Sequence, residues 1–234
     1  MWCEGGMRMA KTMPTIDSKL RHIVKVPESI YEASGIVING KRIKSLVFST
    51  DVAIISNCNA DAVIAVYPFT PTMQITKAII DVSQKPVFVG VGGGTTSGER
   101  VKAIALDAEL HGAAAVVLNA PTKTSFVKAL SQIVDIPIVL TVVSIEEPLE
   151  ERMLYSGASI INVSGGKNTA EIVKKLREID RHFPIIATGG PSDETIQSVI
   201  EAGANAVTYT PPSNGDIFKE MMEKYRIQCS IREE

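Results

Sequence analysis

The chain has 234 residues, 45% hydrophobic and 21% charged, the balance of an ordinary globular protein able to bury a substantial core. Its formal net charge of -2, with no Lys/Arg cluster interleaved with aromatics, argues against nucleic acid as a partner. No stretch approaches the roughly 18 apolar residues of a membrane helix, and the start, MWCEGGMRMAKTMP, lacks the apolar segment of a secretion signal. No membrane partner and a cytoplasmic location are expected.

The three cysteines, Cys3, Cys58 and Cys229, are widely spaced and match no zinc pattern, so no metal is expected. Upstream, GIVINGKRIKSL carries Asn39-Gly40 between apolar runs, a hairpin signal. KRIKSLVFSTD (41–51) follows as a strand. Beyond it lie seven more short apolar runs. NADAVIAVYP (59–68), GAAAVVLNAP (112–121), GASIINVSGG (157–166) and GANAVTYTPP (203–212) open on small residues, and KPVFVGVGGG (85–94), IPIVLTVVS (136–144) and FPIIATGGP (183–191) follow a proline. The alternation is an internal repeat of strand-helix units. Continuous rather than alternating apolar runs suit a parallel sheet covered on both faces.

The segments between the runs carry the 3.6-residue period: Val101, Ile104, Ala105 and Ala108; Ile172, Val173, Leu176 and Ile179; Ile196, Val199 and Ile200. Thr96 with Glu99, and Asn168 with Glu171, fit helix N-caps followed by Glu. Eight strands alternating with helices predict an α/β fold, a (β/α)8 barrel over 42–234, with an N-terminal extension and hairpin (1–41) covering its bottom. A doubly wound sheet gives no reason for the repeat.

In such a barrel the site is built after the strand C-termini. His111, His182 and Cys58 precede strands and belong to the bottom; His22, Cys3 and Cys229 lie in the terminal extensions. The top face is polar. Asp51, directly after the first barrel strand, is the best-placed carboxylate for proton transfer, or caps the short helix that follows. Asn119 and Asn162 end two other strands. Glu146 and Glu147, before Pro148, complement a helix start. Lys167, after Gly165-Gly166 in a loop, is placed as the counter-charge of an anion, or as an amine for covalent chemistry.

FVGVGGGTTSGER (88–100) resembles a nucleotide loop, but the dinucleotide pattern begun by Gly90 and Gly92 ends on Thr95, and no Lys-Ser/Thr pair follows its glycines. Gly92, Gly93, Gly94 and Thr95 are assigned to making room for substrate, so that Gly93→Ala alters activity while sparing anion binding.

IIATGGPSDETIQSVIEAGANAVTYTPPS (185–213) resembles the last quarter of the phosphate-binding TIM barrels, the superfamily of thiazole synthase, thiamine phosphate synthase, N-acetylmannosamine-6-phosphate epimerase and several FMN-dependent enzymes. The match lies in Gly189-Gly190 and EAGANAV (201–207). The resemblance implies a phosphate held near Gly189 and Gly190, with Gly165, Gly166 and Lys167 from the neighbouring loop. It departs where the superfamily has a glycine after the last strand: this chain has Thr210-Pro211-Pro212-Ser213, and proline offers no N–H. Ser213 is then the first donor available.

The expected function is an enzyme acting on a small phosphorylated metabolite by isomerase, lyase or synthase chemistry, with no cofactor. An FMN-dependent oxidoreductase, a non-catalytic metabolite sensor and a hydrolase stay open, as does a homo-oligomer paired through Met221-Met222.

Overall fold

The computed structural model of the chain describes residues 24–190 and 192–231. The expectations for His22 and Cys3 fall outside those residues. The chain first makes a 3-10 turn, Glu28–Glu32, then the antiparallel strands β1 (Ile36–Ile38) and β2 (Lys41–Ile43). Between them Asn39 and Gly40 take φ of 48° and 78°, the left-handed pair that a two-residue hairpin needs and that Asn-Gly supplies at least strain. Only Lys44 separates β2 from the barrel.

Eight parallel strands close the barrel: β3 (Ser45–Phe48), β4 (Ala62–Ala65), β5 (Val87–Gly92), β6 (Ala115–Leu118), β7 (Ile138–Val142), β8 (Ile160–Val163), β9 (Ile185–Thr188) and β10 (Ala206–Tyr209). They pair in chain order and β10 returns to β3, with Val207 opposite Ser45. The connections hold α1 (Val52–Asn57), α2 (Met73–Val82), α3 (Glu99–Leu110), α4 (Thr124–Leu130), α5 (Thr169–Ile179), α6 (Asp193–Glu201) and, after β10, α7 (Asn214–Ile231). Between β7 and β8 the helical piece is a π turn, Glu151–Tyr155. This is therefore the (β/α)8 TIM barrel that the repeat predicts.

The strands are buried on both faces, as their unbroken apolar runs require. Inward residues Leu46, Ile64, Phe88, Val117, Val139 and Ile186 fill the barrel, and Ile36, Ile38 and Ile43 of the hairpin pack into the same cluster from below. The hairpin is thus a plug. Outward residues such as Val63, Val116 and Ile161 meet the helix stripes, in which Val101, Ile104, Ala105 and Ala108 of α3 and Ile172, Val173 and Leu176 of α5 are buried. Each fully buried aliphatic side chain of this kind contributes about 1.5–3 kcal/mol. By contrast α7 rests on the barrel through Ile217, while Phe218 and Tyr225 stay exposed.

Helix starts differ in detail from expectation. Thr96 and Glu99 do not cap α3: Gly98, at φ 69°, is the N-cap, Thr96 turns inward with its hydroxyl buried, and Glu99 pairs with Lys102 at 2.7 Å. A left-handed backbone at Gly98 leaves Thr96 pointing away from the first helical amides. At α5 Asn168 makes no side-chain cap. Instead the Thr169 hydroxyl accepts from Gly165 N at 3.1 Å and donates to Gly166 O at 2.8 Å, tying the Gly-Gly turn to the helix.

Candidate functional site

The period of two along each strand decides what faces the barrel axis at its C-terminal end. Counting up from the inward core residues, the next inward positions are Phe48, Val66, Asn119, Thr141, Asn162, Thr188 and Thr208. All of them line one recess of about 260 Å3 at the barrel mouth. Register brings them together in pairs, Thr141 beside Asn162 and Thr188 beside Thr208. The mouth therefore has two halves: apolar along β3 to β6, with Phe48, Ile64, Val66 and Val117, and hydroxyl- or amide-bearing from the end of β6 round to β10, with Asn119, Thr141, Asn162, Thr188 and Thr208. No ionisable side chain lines it.

Several mouth polar groups are not satisfied. The amide nitrogen of Asn162 donates to Thr141 Oγ1 at 3.3 Å, but its Oδ1 has no partner, and neither has Thr208 Oγ1. Both residues are deeply buried, 8% and 5% exposed. A buried polar atom without a partner is costly and rare in folded proteins.

Thr188 also borders a second recess, of about 410 Å3, between the turns that follow β8 and β9. Gly166, Lys167, Gly189 and Gly190 line it, so the sequence-predicted loops after β8 and β9 do converge. Lys167 is exposed there and makes no ion pair or hydrogen bond with the described residues. The glycines have packing reasons of their own. A Cβ on Gly189 would sit 2.6 Å from Val207 Cγ1, and one on Gly165 would run into Ile172 Cδ1. Gly190 and Gly166 adopt φ of 75° and 59°.

Ser213 does not open toward that recess. Its hydroxyl donates to Asp216 Oδ2 at 2.6 Å and accepts from Asp216 N at 3.1 Å, while its own amide donates to the same carboxylate at 3.2 Å. These bonds hold the Asp216 carboxyl below its ordinary range. The start of α7 is thus closed by a carboxylate of its own.

The loop after β5 lies across the barrel from β9. Gly92 and Gly94 border a recess of about 190 Å3 with Tyr67, Phe69 and Thr95, and it joins the mouth at Val66, Asn119 and Ala120. The β5–β6 register slips between Gly90 and Gly92, a bulge that lifts the strand end toward this loop. Gly93 has φ 104° and a Cβ there would strike Thr122 Oγ1 and the Asn119 backbone. It is fixed by packing, so Gly93→Ala reports on the fold rather than on substrate choice. A Cβ on Gly94 would meet nothing nearer than Ala120 O, at 4.0 Å.

Asp51 is the N-cap of α1: its Oδ1 accepts from Ala53 N at 2.8 Å and Ile54 N at 3.2 Å. Glu147 does not serve a helix start. Its carboxylate accepts from Val143 N at 2.7 Å and Ser144 N at 3.0 Å, and meets Arg152 Nε at 2.9 Å. Arg152, only 5% exposed, also donates to Thr122 O at 2.9 Å and Thr141 O at 3.0 Å. One guanidinium thus ties the loops after β6 and β7 to the π turn. Sequence reading missed it, because an Arg in ERMLYS carries no sign of burial; Thr208, a polar residue inside the run NAVTYT, could have been found as Asn162 was.

At the foot of the barrel Cys58 is buried, which pushes its thiol up and away from nucleophilic use. His111 ends α3 with Nδ1 2.8 Å from Asp107 O. Among the described residues no group of three His, Cys, Asp or Glu could hold a metal ion, and no helix is long and apolar enough to cross a membrane.

No protein-family model and no curated protein matches the sequence. Solved structures do. The chain is similar to 3-hexulose-6-phosphate synthase at 18% identity and TM-score 0.54, over 71% of this chain and 89% of that one. It is similar to phosphoenolpyruvate phosphomutase from Streptomyces platensis subsp. rosaceus at 12% identity and TM-score 0.57, over 88% and 85%. A third is dihydrodipicolinate synthase from Bacillus anthracis, at 16% identity and TM-score 0.55, over 71% and 69%. At these identities the likeness establishes the TIM-barrel fold alone.

Proposed function

We propose that this protein is an enzyme acting on a small phosphorylated metabolite, by isomerase, lyase or synthase chemistry at the C-terminal end of the barrel. The observation that carries the reading is Lys167, a cation without a partner among the described residues, beside the recess between two Gly-Gly turns. In that position its charge attracts an anion, and the glycines let the anion approach the backbone closely. The similarity to 3-hexulose-6-phosphate synthase, whose name specifies a sugar phosphate, agrees with it.

The phosphate is assigned to Gly165, Gly166, Lys167, Gly189 and Gly190. Ser213 is left out, since an anion there would have to displace the Asp216 carboxylate. The rest of the metabolite extends past Thr188 into the mouth, toward Asn119 and Asn162. Asp51 is the carboxylate assigned to proton transfer: only its Oδ1 is engaged in capping α1. Thermal-shift titration with inorganic phosphate should raise the melting temperature, and Lys167→Ala should weaken that binding about tenfold, a charge-assisted hydrogen bond's worth. No shift with phosphate or any phosphate ester sinks the proposal.

The mouth's lack of an ionisable side chain favours a second reading, a barrel that binds the same metabolite without transforming it. The two are separated by incubating protein with phosphate esters and following the esters by phosphorus NMR: turnover abolished by Asp51→Asn supports the enzyme, binding without turnover the sensor. A flavin alternative is read from visible absorbance after adding FMN.

A further inference from the structure

We infer that the barrel mouth takes an uncharged, polyhydroxylated group, so that the ligand is the phosphate ester of a neutral polyol or sugar rather than of a carboxylic or 2-oxo acid. The inference rests on the phosphate assignment above but is drawn from other atoms. Asn162 Oδ1 is an acceptor in need of a donor, and Thr208 Oγ1, two strands round the barrel, can donate and accept. Both belong to residues more than nine-tenths buried on the polar half of the mouth, and neither has a partner among the described residues. Separate hydroxyls of one polyol can donate to the first and accept from the second; an ionised carboxylate can only accept, and would face Asn162 Oδ1 lone pair to lone pair. Asn162 keeps its Nδ2 on Thr141, so Oδ1 is the atom it offers, and Thr208 reaches a ligand by a change of rotamer.

Charge makes the same selection. Nothing lining the mouth can neutralise a carboxylate, and burying one there without a partner is strongly unfavourable. The apolar half, with Phe48, Val66 and Val117, offers a surface for the C–H face of a sugar or polyol chain.

The test is calorimetric titration of the full chain with inorganic phosphate, erythritol 4-phosphate and phosphoenolpyruvate, in the wild type, Asn162→Leu and Thr208→Val. Erythritol 4-phosphate should bind about tenfold tighter than either other ligand, and each substitution should remove about fivefold of that gain while inorganic phosphate binding holds. Thr208→Val replaces an unpaired hydroxyl by a methyl and should not lower the melting temperature, so it serves where Asn162→Leu fails to fold. Phosphoenolpyruvate binding as tightly as the polyol ester, or a gain that survives both substitutions, overturns the inference. If no phosphate compound binds, the phosphate assignment fails, and the mouth is read by ligand-observed NMR with erythritol alone. A signal lost in Thr208→Val then upholds the polyol site, and no signal rejects it.

Discussion

The two ends of the barrel treat their polar groups in opposite ways. At the foot most are bonded, Asp107 Oδ2 beside His111 being the exception among the described residues. Asp61 Oδ2 accepts from Lys44 N, Ser45 N and Ser45 Oγ at 2.9, 3.1 and 3.0 Å. Arg177 donates to Gly203 O at 2.9 Å, Phe183 O at 2.6 Å and Asn205 Oδ1 at 2.6 Å, and Asn205 Oδ1 accepts in turn from Ile185 N at 2.9 Å. Below them the hairpin closes the barrel with Ile36, Ile38 and Ile43. At the mouth, Asn162 Oδ1, Thr208 Oγ1 and, one loop away, Thr96 Oγ1 have no partner. One end spends its polar groups on the fold, and the other keeps hydrogen-bonding capacity in reserve, which is where a ligand is recognised.

Substitutions can break this division or sharpen it. The largest effect is expected from Arg152→Ala, because its buried guanidinium joins Glu147 to the backbone of two strand ends. Removing the guanidinium strands Glu147 and the carbonyls of Thr122 and Thr141, and should cost about 3–5 kcal/mol in urea denaturation. A loss below about 1 kcal/mol would mean that the loops after β6 and β7 stand without it. Gly93→Ala comes next, at about 2–3 kcal/mol, from a left-handed backbone and a Cβ that meets the Asn119 backbone. Its neighbour Gly94→Ala should stay within about 0.5 kcal/mol. Equal losses for the pair would refute the assignment of Gly93 alone to packing.

Asp61→Ala, at the foot, should cost about 2 kcal/mol and leave phosphate affinity untouched; a change in affinity would erase the division between the ends. The smallest effect belongs to the Ser213–Asp216 box. Asp216 is held below its ordinary value of 3.8 by hydrogen bonds from Ser213, so its contribution is complete above that value and is lost as pH falls through the lower, folded-state value. Amide exchange in the first turn of α7 should therefore rise only in acid below about pH 4. The same rise in Asp216→Asn at neutral pH would tie it to that carboxylate.

How much of this was legible in the chain depends on the range of the interaction. Asn39-Gly40 announces its hairpin because left-handed φ is a property of those residues themselves. The eight apolar runs announce the barrel because a strand buried on both faces has no polar side to show. Thr96-Glu99 suggested a cap that the structure places at Gly98, since a cap depends on one backbone angle that composition leaves free. Asp51 could be given its capping role from sequence, as that partner lies two residues away.

The sequence by itself therefore determined the strands, the helix stripes, the hairpin and the end of the barrel where a site can lie, all consequences of local periodicity and chain order. Only the tertiary structure decided which polar groups are left over. Thr141 and Asn162 are 21 residues apart yet share a bond, and Arg152 meets Thr122 across 30, because closing the barrel sets strand ends side by side whatever their distance in the chain. It also gave Ser213 the Asp216 carboxylate as a partner, and left Lys167 without one among the described residues. Satisfaction of a buried polar atom is a property of its three-dimensional neighbours, and no reading of a linear pattern supplies them.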